Sequence, residues 1–229
     1  MSQSKSPPSQ SPGSKPPREP GSGDTRRRIL EAATRIIVER GVGGLRIREL
    51  ARAVGIREGS IYNHYAGRDQ IIRAIFEQVD AGMSPLGETL DMERTPKEQL
   101  HLAGEEVRAR GLAGFLAASG KYLLEHFDRN PDSLRLLRAI LSARFHDPSA
   151  RRAYEEVFRR DMERALLAIF HLAAKLGLLR ESVRPQDLTG LVMAGFEQAI
   201  ADSFSDDGPR PFGASIRKLM NLVGTLASR

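Results

Sequence analysis

Residues 47–61, IRELARAVGIREGSI, constrain the fold more than any other part of the chain. Leu50, Ala51 and Val54 recur at the spacing of one helical face, Gly55 breaks the run, and Ile56 and Ile61 resume it. Two short helices joined by a tight turn satisfy this pattern. Leu50, Val54 and Ile61 would fill their shared core, Ala51 lets the axes approach, and Gly55 permits the turn. An earlier helix, Thr25 to Arg40, carries Ile29, Ala32, Ala33, Ile36 and Ile37 on one stripe. Asp24 or Thr25 can cap it, and Gly41, Gly43 and Gly44 end it. The second helix of the pair runs from Arg57 or Glu58 to about His64, and another, after Gly67, carries Ile71, Ile72, Ile75, Phe76 and Val79.

Beyond a glycine- and proline-containing connection at Gly82 to Gly87, the helical period continues. Thr95-Pro96-Lys97-Glu98, Asn130-Pro131 and Asp147-Pro148 each place a capping side chain before a first-turn proline, and Pro185 opens another helix. The predicted segments are 95–128, with a break at Gly111 or Gly114, then 131–145, 148–177, 185–204 and 212–227. No stretch alternates with β-branched residues, so the chain is read as all-α, with nine or ten helices. The expected organisation is a disordered Pro/Ser-rich tail over 1–23, a small helical domain over 24–73 and a larger one over 74–229.

Charge divides along the same lines. The net charge is +1 for residues 1–24, +6 for 25–73 and −1 for 74–229, so the excess sits in the small domain. A basic domain joined to a long neutral one suggests that one part meets a polyanion and the other does something else. The chain contains no cysteine, which removes disulfides, thiolate metal sites and a cysteine nucleophile, and fits a reducing cytoplasm. No run approaches the roughly 18 apolar residues of a membrane span. The N-terminus, with six prolines and seven serines before residue 24, does not read as a signal peptide.

A two-helix unit of this kind presents its second helix to the DNA major groove. With Ile61 inward, Arg57, Glu58, Ser60, Tyr62, Asn63, His64 and Tyr65 lie outside or at the ends. Asn63 can bond an adenine edge, Arg57 a guanine or a phosphate, Ser60 either, and Tyr62 and His64 phosphate oxygens. Arg46, Arg48, Arg52 and Arg68 flank the helix with positive charge. Tyr62, His64 and Tyr65 are also suited to packing the small domain.

The segment LRIRELARAVGIREGSIYNHYAGRD, residues 45–69, resembles the N-terminal domain of the TetR family of transcriptional regulators. In that family a V-G-V-S … G-T-L-Y-x-H-F … K run forms the turn, the recognition helix and the start of helix four. The resemblance covers about residues 25 to 75. It implies phosphate contacts by Tyr62, His64 and Arg68, where the family usually has lysine, and base contacts from Glu58, Gly59, Ser60 and Asn63. Arg46 and Arg57 depart from it, standing where the family commonly has a capping threonine or serine. An arginine cannot accept from a free backbone N–H and opposes the helix dipole, so these two are expected to serve DNA.

The remainder is expected to hold a small, largely apolar effector and to form a homodimer on a palindromic operator, acting as a repressor. Candidate pocket residues are Phe115, Tyr122, Phe127, Phe145, His146, Phe170 and Met193. Helix 148–177 is charged with one apolar stripe up to Arg164 and apolar nearly all round from Ala165, and helix 185–204 looks similar to that second half, which nominates Leu166, Ile169, Ala173, Leu191, Gly195 and Ala199 for the dimer interface. No cofactor or metal is expected. Glu98-x-x-His101 is half of a di-iron bundle motif and has no second copy, and neither a glycine-rich phosphate loop nor a G-x-S-x-G turn is present. The alternatives are a helical-bundle enzyme, or an RNA- or protein-binding module with a basic head.

Overall fold

The computed structural model describes residues 22–82, 96–203 and 212–228. Among these there are nine helices and no strand, only an isolated antiparallel bridge between Leu179 and Ser228. The N-terminal group is α1 (Ser22–Arg40), α2 (Ile47–Val54), α3 (Glu58–Tyr62) and α4 (Arg68–Gly82), with a 3₁₀ turn at Val42–Gly44. Then come α5 (Pro96–Arg129), α6 (Pro131–Ala143), α7 (148–175), α8 (Pro185–Asp202) and α9 (Phe212–Ala227). Helix α7 is continuous but changes pitch, with a π-helical stretch at Tyr154–Arg159 between Pro148–Ala153 and Arg160–Lys175. The anticipated tail, the cap at Thr95 and the connection at 83–87 lie outside the described residues. The boundary drawn between 73 and 74 falls inside α4.

The head is built on the anticipated stripes. Ile29, Ala33 and Ile37 of α1 meet Leu50, Ala51 and Val54 of α2 and Ile61 of α3, all buried. Gly55 closes α2 in the left-handed region, at φ 76°. Of the expected caps, Asp147 accepts from the N–H groups of Ser149 and Ala150. Asn130 makes no cap hydrogen bond and instead donates its Nδ2 to the His126 carbonyl. Helix α1 begins before Asp24, whose carboxylate accepts from Arg27 at 2.6 Å.

The larger domain packs α9 along α5 and α8, and α8 against the second half of α7. A file of aromatic rings joins it to α4. Phe76 of α4 meets Phe158 of α7 edge-on at 6.0 Å, and Phe158 stacks on Phe196 of α8 at 5.7 Å. Phe196 then meets Phe212 of α9, and Phe212 meets Phe127 of α5 at 5.4 Å. Each such pair adds about 0.5–1.5 kcal/mol beyond the area it buries.

Helix α5 is broken at Gly111, the first of the two expected positions, with φ 67° and ψ 169°. Only glycine enters this region without strain. Gly111→Ala is therefore expected to lower stability by about 1–3 kcal/mol in urea titration, although a methyl there meets no atom within 4 Å. Tyr65 is 1 % exposed and Tyr62 55 %. In the same titration Tyr65→Ala should cost about 3–5 kcal/mol and Tyr62→Ala less than about 0.5, and equal losses would contradict the packing described.

Candidate nucleic-acid interface

Helix α3 has five residues and ends at Tyr62, two short of expectation. The N–H groups of His64 and Tyr65 both donate to the Ile61 carbonyl, so Asn63 and His64 form the turn that closes the helix. Ile61 and Tyr65 point inward and fix the rotation of the segment. Between and before them Arg57, Glu58, Gly59, Tyr62 and Asn63 are exposed, and Ser60 and His64 are half-buried. Arg46, Arg48 and Arg52 of α2 are exposed beside them. These residues give the two helices an exposed set of basic and aromatic side chains.

Arg46 and Arg57 are the N-cap residues of α2 and α3, both in extended conformation, and neither side chain caps its helix. The free N–H groups at these ends remain available to an anion. Arg48 lies 4.0 Å from Glu58 across the turn, an exposed pair that is worth little and leaves the guanidinium free to move.

Two candidates lie elsewhere. The Tyr65 ring is in the core, its hydroxyl accepting from Arg26 Nε at 3.2 Å and its face lying 5.0 Å under the same guanidinium. Arg68 is turned away from the face. Its Nε donates to the Leu45 carbonyl at 3.0 Å and its Nη2 to the Val42 carbonyl at 2.8 Å. It also grips Asp147 in bidentate fashion, at 2.7 and 3.3 Å, and reaches Ser149 Oγ at 3.1 Å. Burial alone would raise the Asp147 carboxyl. The Arg68 hydrogen bond, the N–H groups of Ala150 and Ser149 and the Arg68 charge outweigh it and hold the group below the ordinary carboxylate value.

Sequence reasoning missed this cluster and also Arg28, whose Nη2 donates to the Val54 carbonyl at the end of α2, at 2.6 Å. Nothing local marks such partners, because the pairings span 23 to 81 positions.

The seven pocket candidates do not line one cavity. Phe115, Phe127 and Phe170 are buried in the core, Tyr122 and Met193 are half-buried, and Phe145 and His146 are exposed. Phe145 borders a cavity of about 510 Å³ with Leu141, Arg144, Ala194, Glu197 and Ile200. Phe127 borders another of about 480 Å³ with Leu124, Leu134 and Phe212. Of the interface candidates, Leu166, Ile169, Ala173 and Ala199 are buried within the chain itself, and Leu191 and Gly195 are half-buried. Gly195 faces α9, where a Cβ would come within 2.5 Å of Leu219. The large apolar side chains left exposed on that side are Leu222 and Leu226, one turn apart on α9. Among the described residues no group of three or more His, Asp or Glu side chains is placed to hold a metal ion.

A family model, "Bacterial regulatory proteins, tetR family", matches residues 29–75, the span from α1 to the middle of α4. The HTH-type transcriptional regulator SrpR of Pseudomonas putida is 33 % identical over 52 residues, 23 % of this chain and 24 % of that protein. The chain thus matches only a minor part of such relatives. Likeness to solved structures runs further. NalD, the secondary repressor of the MexAB-OprM multidrug efflux pump in Pseudomonas aeruginosa, has a TM-score of 0.66 at 20 % identity, covering 91 % of this chain and 98 % of that one. The regulator FadR from Bacillus subtilis, solved with stearoyl-CoA, has a TM-score of 0.65 at 13 % identity, over 87 % and 98 %. At these identities the likeness concerns the fold. Through the motif at 45–69 and the match over 29–75, the helical head of the chain is similar to the N-terminal domain of the tetR family of bacterial regulatory proteins.

Proposed function

We propose that the chain is a cytoplasmic transcriptional repressor that binds a palindromic operator as a homodimer and lets go when a small effector binds, and that it is not an enzyme. The observation that carries this reading is the face of α3. Between two buried anchors, Ile61 and Tyr65, it turns Arg57, Tyr62 and Asn63 to solvent, beside three arginines of α2. A guanidinium, a phenol and a carboxamide at that spacing match phosphate and base edges, and a merely soluble surface would not expose a tyrosine there. We assign phosphate contacts to Arg46, Arg48, Tyr62 and His64, and base contacts to Asn63 and the Glu58–Ser60 turn. NalD, similar in fold, is described as a repressor.

The homodimer reading is supported by Leu222 and Leu226 of α9, one turn apart and nearly half exposed. A second copy would cover them in an isologous contact. For the effector we favour the 510 Å³ cavity, because it opens on the turn between α6 and α7, whose Asp147 is bonded to the head. Its wall combines apolar Leu141, Phe145 and Ile200 with Arg144 and Glu197, which suits an amphipathic molecule. FadR holds stearoyl-CoA, a ligand of that general character.

Selection from random duplex DNA should return a palindrome, with affinity falling steeply as salt rises. Recovery of no consensus, or preference for RNA, would overturn the repressor reading. Arg46→Thr should lower the slope of log affinity against log salt by about 0.9 for each subunit bound. Leu222→Glu combined with Leu226→Glu should give a folded monomer in sedimentation and weaken binding to the full palindrome more than to a half-site.

A further inference from the structure

We infer that Arg68 is a positioning residue, locked with Asp147 into a latch between the head and α7, and that it sets the tilt of each head rather than touching DNA. The inference rests on the DNA-binding reading only for its consequence, the spacing of the two heads. The resemblance would give this position a phosphate contact. The geometry gives its guanidinium other duties.

A guanidinium has five N–H donors in a rigid fork. Those of Arg68 make five hydrogen bonds, to the carbonyls of Val42 and Leu45, to both carboxylate oxygens of Asp147 and to Ser149 Oγ. A phosphate could engage it only by displacing one of these. The side chains of Arg68 and Asp147 are 26 % and 16 % exposed, so a displaced partner would stay largely desolvated. A lysine, with three donors and no fork, could not hold this set.

The position of the latch gives it leverage. Val42 and Leu45 lie in the turn that leads into α2, Arg68 begins α4, and Asp147 caps α7. One side chain thus joins the entry to the DNA-binding pair, the helix leading out of the head, and the first helix end of the larger domain that α4 meets. The two helices then run side by side in the same direction. Asp69 accepts from Ser149 Oγ and pairs with Arg152, Arg73 meets Glu156 at 3.0 Å, and Phe76 meets Phe158. The Asp69–Arg152 and Arg73–Glu156 pairs are exposed and weak, and the aromatic contact is a single edge-on ring pair. The Arg68 fork, with five hydrogen bonds, is the most constraining element, at the end nearest the head. Without it the head would be held by the packing of α1, α4 and the Val42–Gly44 turn on α6 and by the Phe76–Phe158 contact, none of which fixes the entry to α2 through a hydrogen-bonded fork.

Three variants separate latch from phosphate contact. Asp147→Ser keeps an oxygen able to cap α7 and removes the carboxylate. Arg68→Met removes the fork and the charge. Arg68→Lys keeps the charge and removes the fork. Each is titrated by fluorescence anisotropy against the selected palindrome and against versions with the half-sites one base pair closer and one further apart, over a range of salt. The latch predicts that all three discriminate between spacings less than the wild type, by roughly tenfold, the scale of one charge-assisted hydrogen bond. Their salt slopes should equal that of the wild type. If Arg68→Met lowers the slope by about 0.9 per subunit while Arg68→Lys and Asp147→Ser behave as wild type, Arg68 is a phosphate contact and the latch is wrong.

Hydrogen exchange on the DNA-free protein provides the arm that needs no operator. In Asp147→Ser and Arg68→Lys the amides of residues 42–50 should exchange faster, with those of α9 unchanged, and unchanged protection at 42–50 would overturn the latch. A wild-type protein that selects no palindrome would count against the repressor reading alone, because exchange still decides the latch.

Discussion

The outward face of α3 depends on the inward pull of two side chains. Ile61 and Tyr65 are four residues apart and both almost fully buried, so the backbone between them has one rotation in which both are satisfied. That rotation decides that Tyr62 and Asn63 meet water. A five-residue helix has too few internal hydrogen bonds to stand alone, and its form comes from packing against α2 and from the buried Ile61 and Tyr65. Arg26, hydrogen-bonded to the Tyr65 hydroxyl and lying over its ring, closes the core from the α1 side.

Helix existence and type were legible because local signals agree. The glycines at 41, 55 and 111 stop or break helices where they were expected to, and the prolines at 131, 148 and 185 open them. Apolar spacing also placed Leu50, Val54 and Ile61 in one core. Rotation at the end of a short helix was less legible, since Tyr65 satisfies either a core or a surface until its neighbours are known. Long-range polar partners were not legible at all. The acceptors of Arg68 include a carboxylate 79 positions away and two main-chain carbonyls that carry no sequence signal.

The aromatic residues of the larger domain show why composition misleads about cavities. Phe127, Phe158, Phe196 and Phe212 run through its interior as a packed file, and of these Phe127 and Phe212 also border the 480 Å³ cavity. The space that remains lies at edges such as that between α6 and α8. There Arg144 lies between the rings of Phe145 and Tyr154 and bonds Glu197 at 2.6 Å. Burial and the Glu197 carboxylate push the Tyr154 phenol well above its ordinary range. In the half of α7 that the sequence reading divides between its own core and a partner, Leu166, Ile169 and Ala173 are buried within the chain and Leu167, Ala168 and Leu172 are half-buried, because a helix apolar all round can be covered by several of its own neighbours as well as by a second copy.

Helices α2 and α3 both start on an arginine in place of a capping oxygen, so each begins with unmet N–H groups and a positive charge at the positive end of its dipole. Such an arrangement is least favourable in the empty protein and improves when any anion settles there. Folding of the head and occupation of its surface are therefore coupled equilibria. A polyanion that settled on these helix ends would stabilise the fold beneath them, acting as a structural component that arrives from outside.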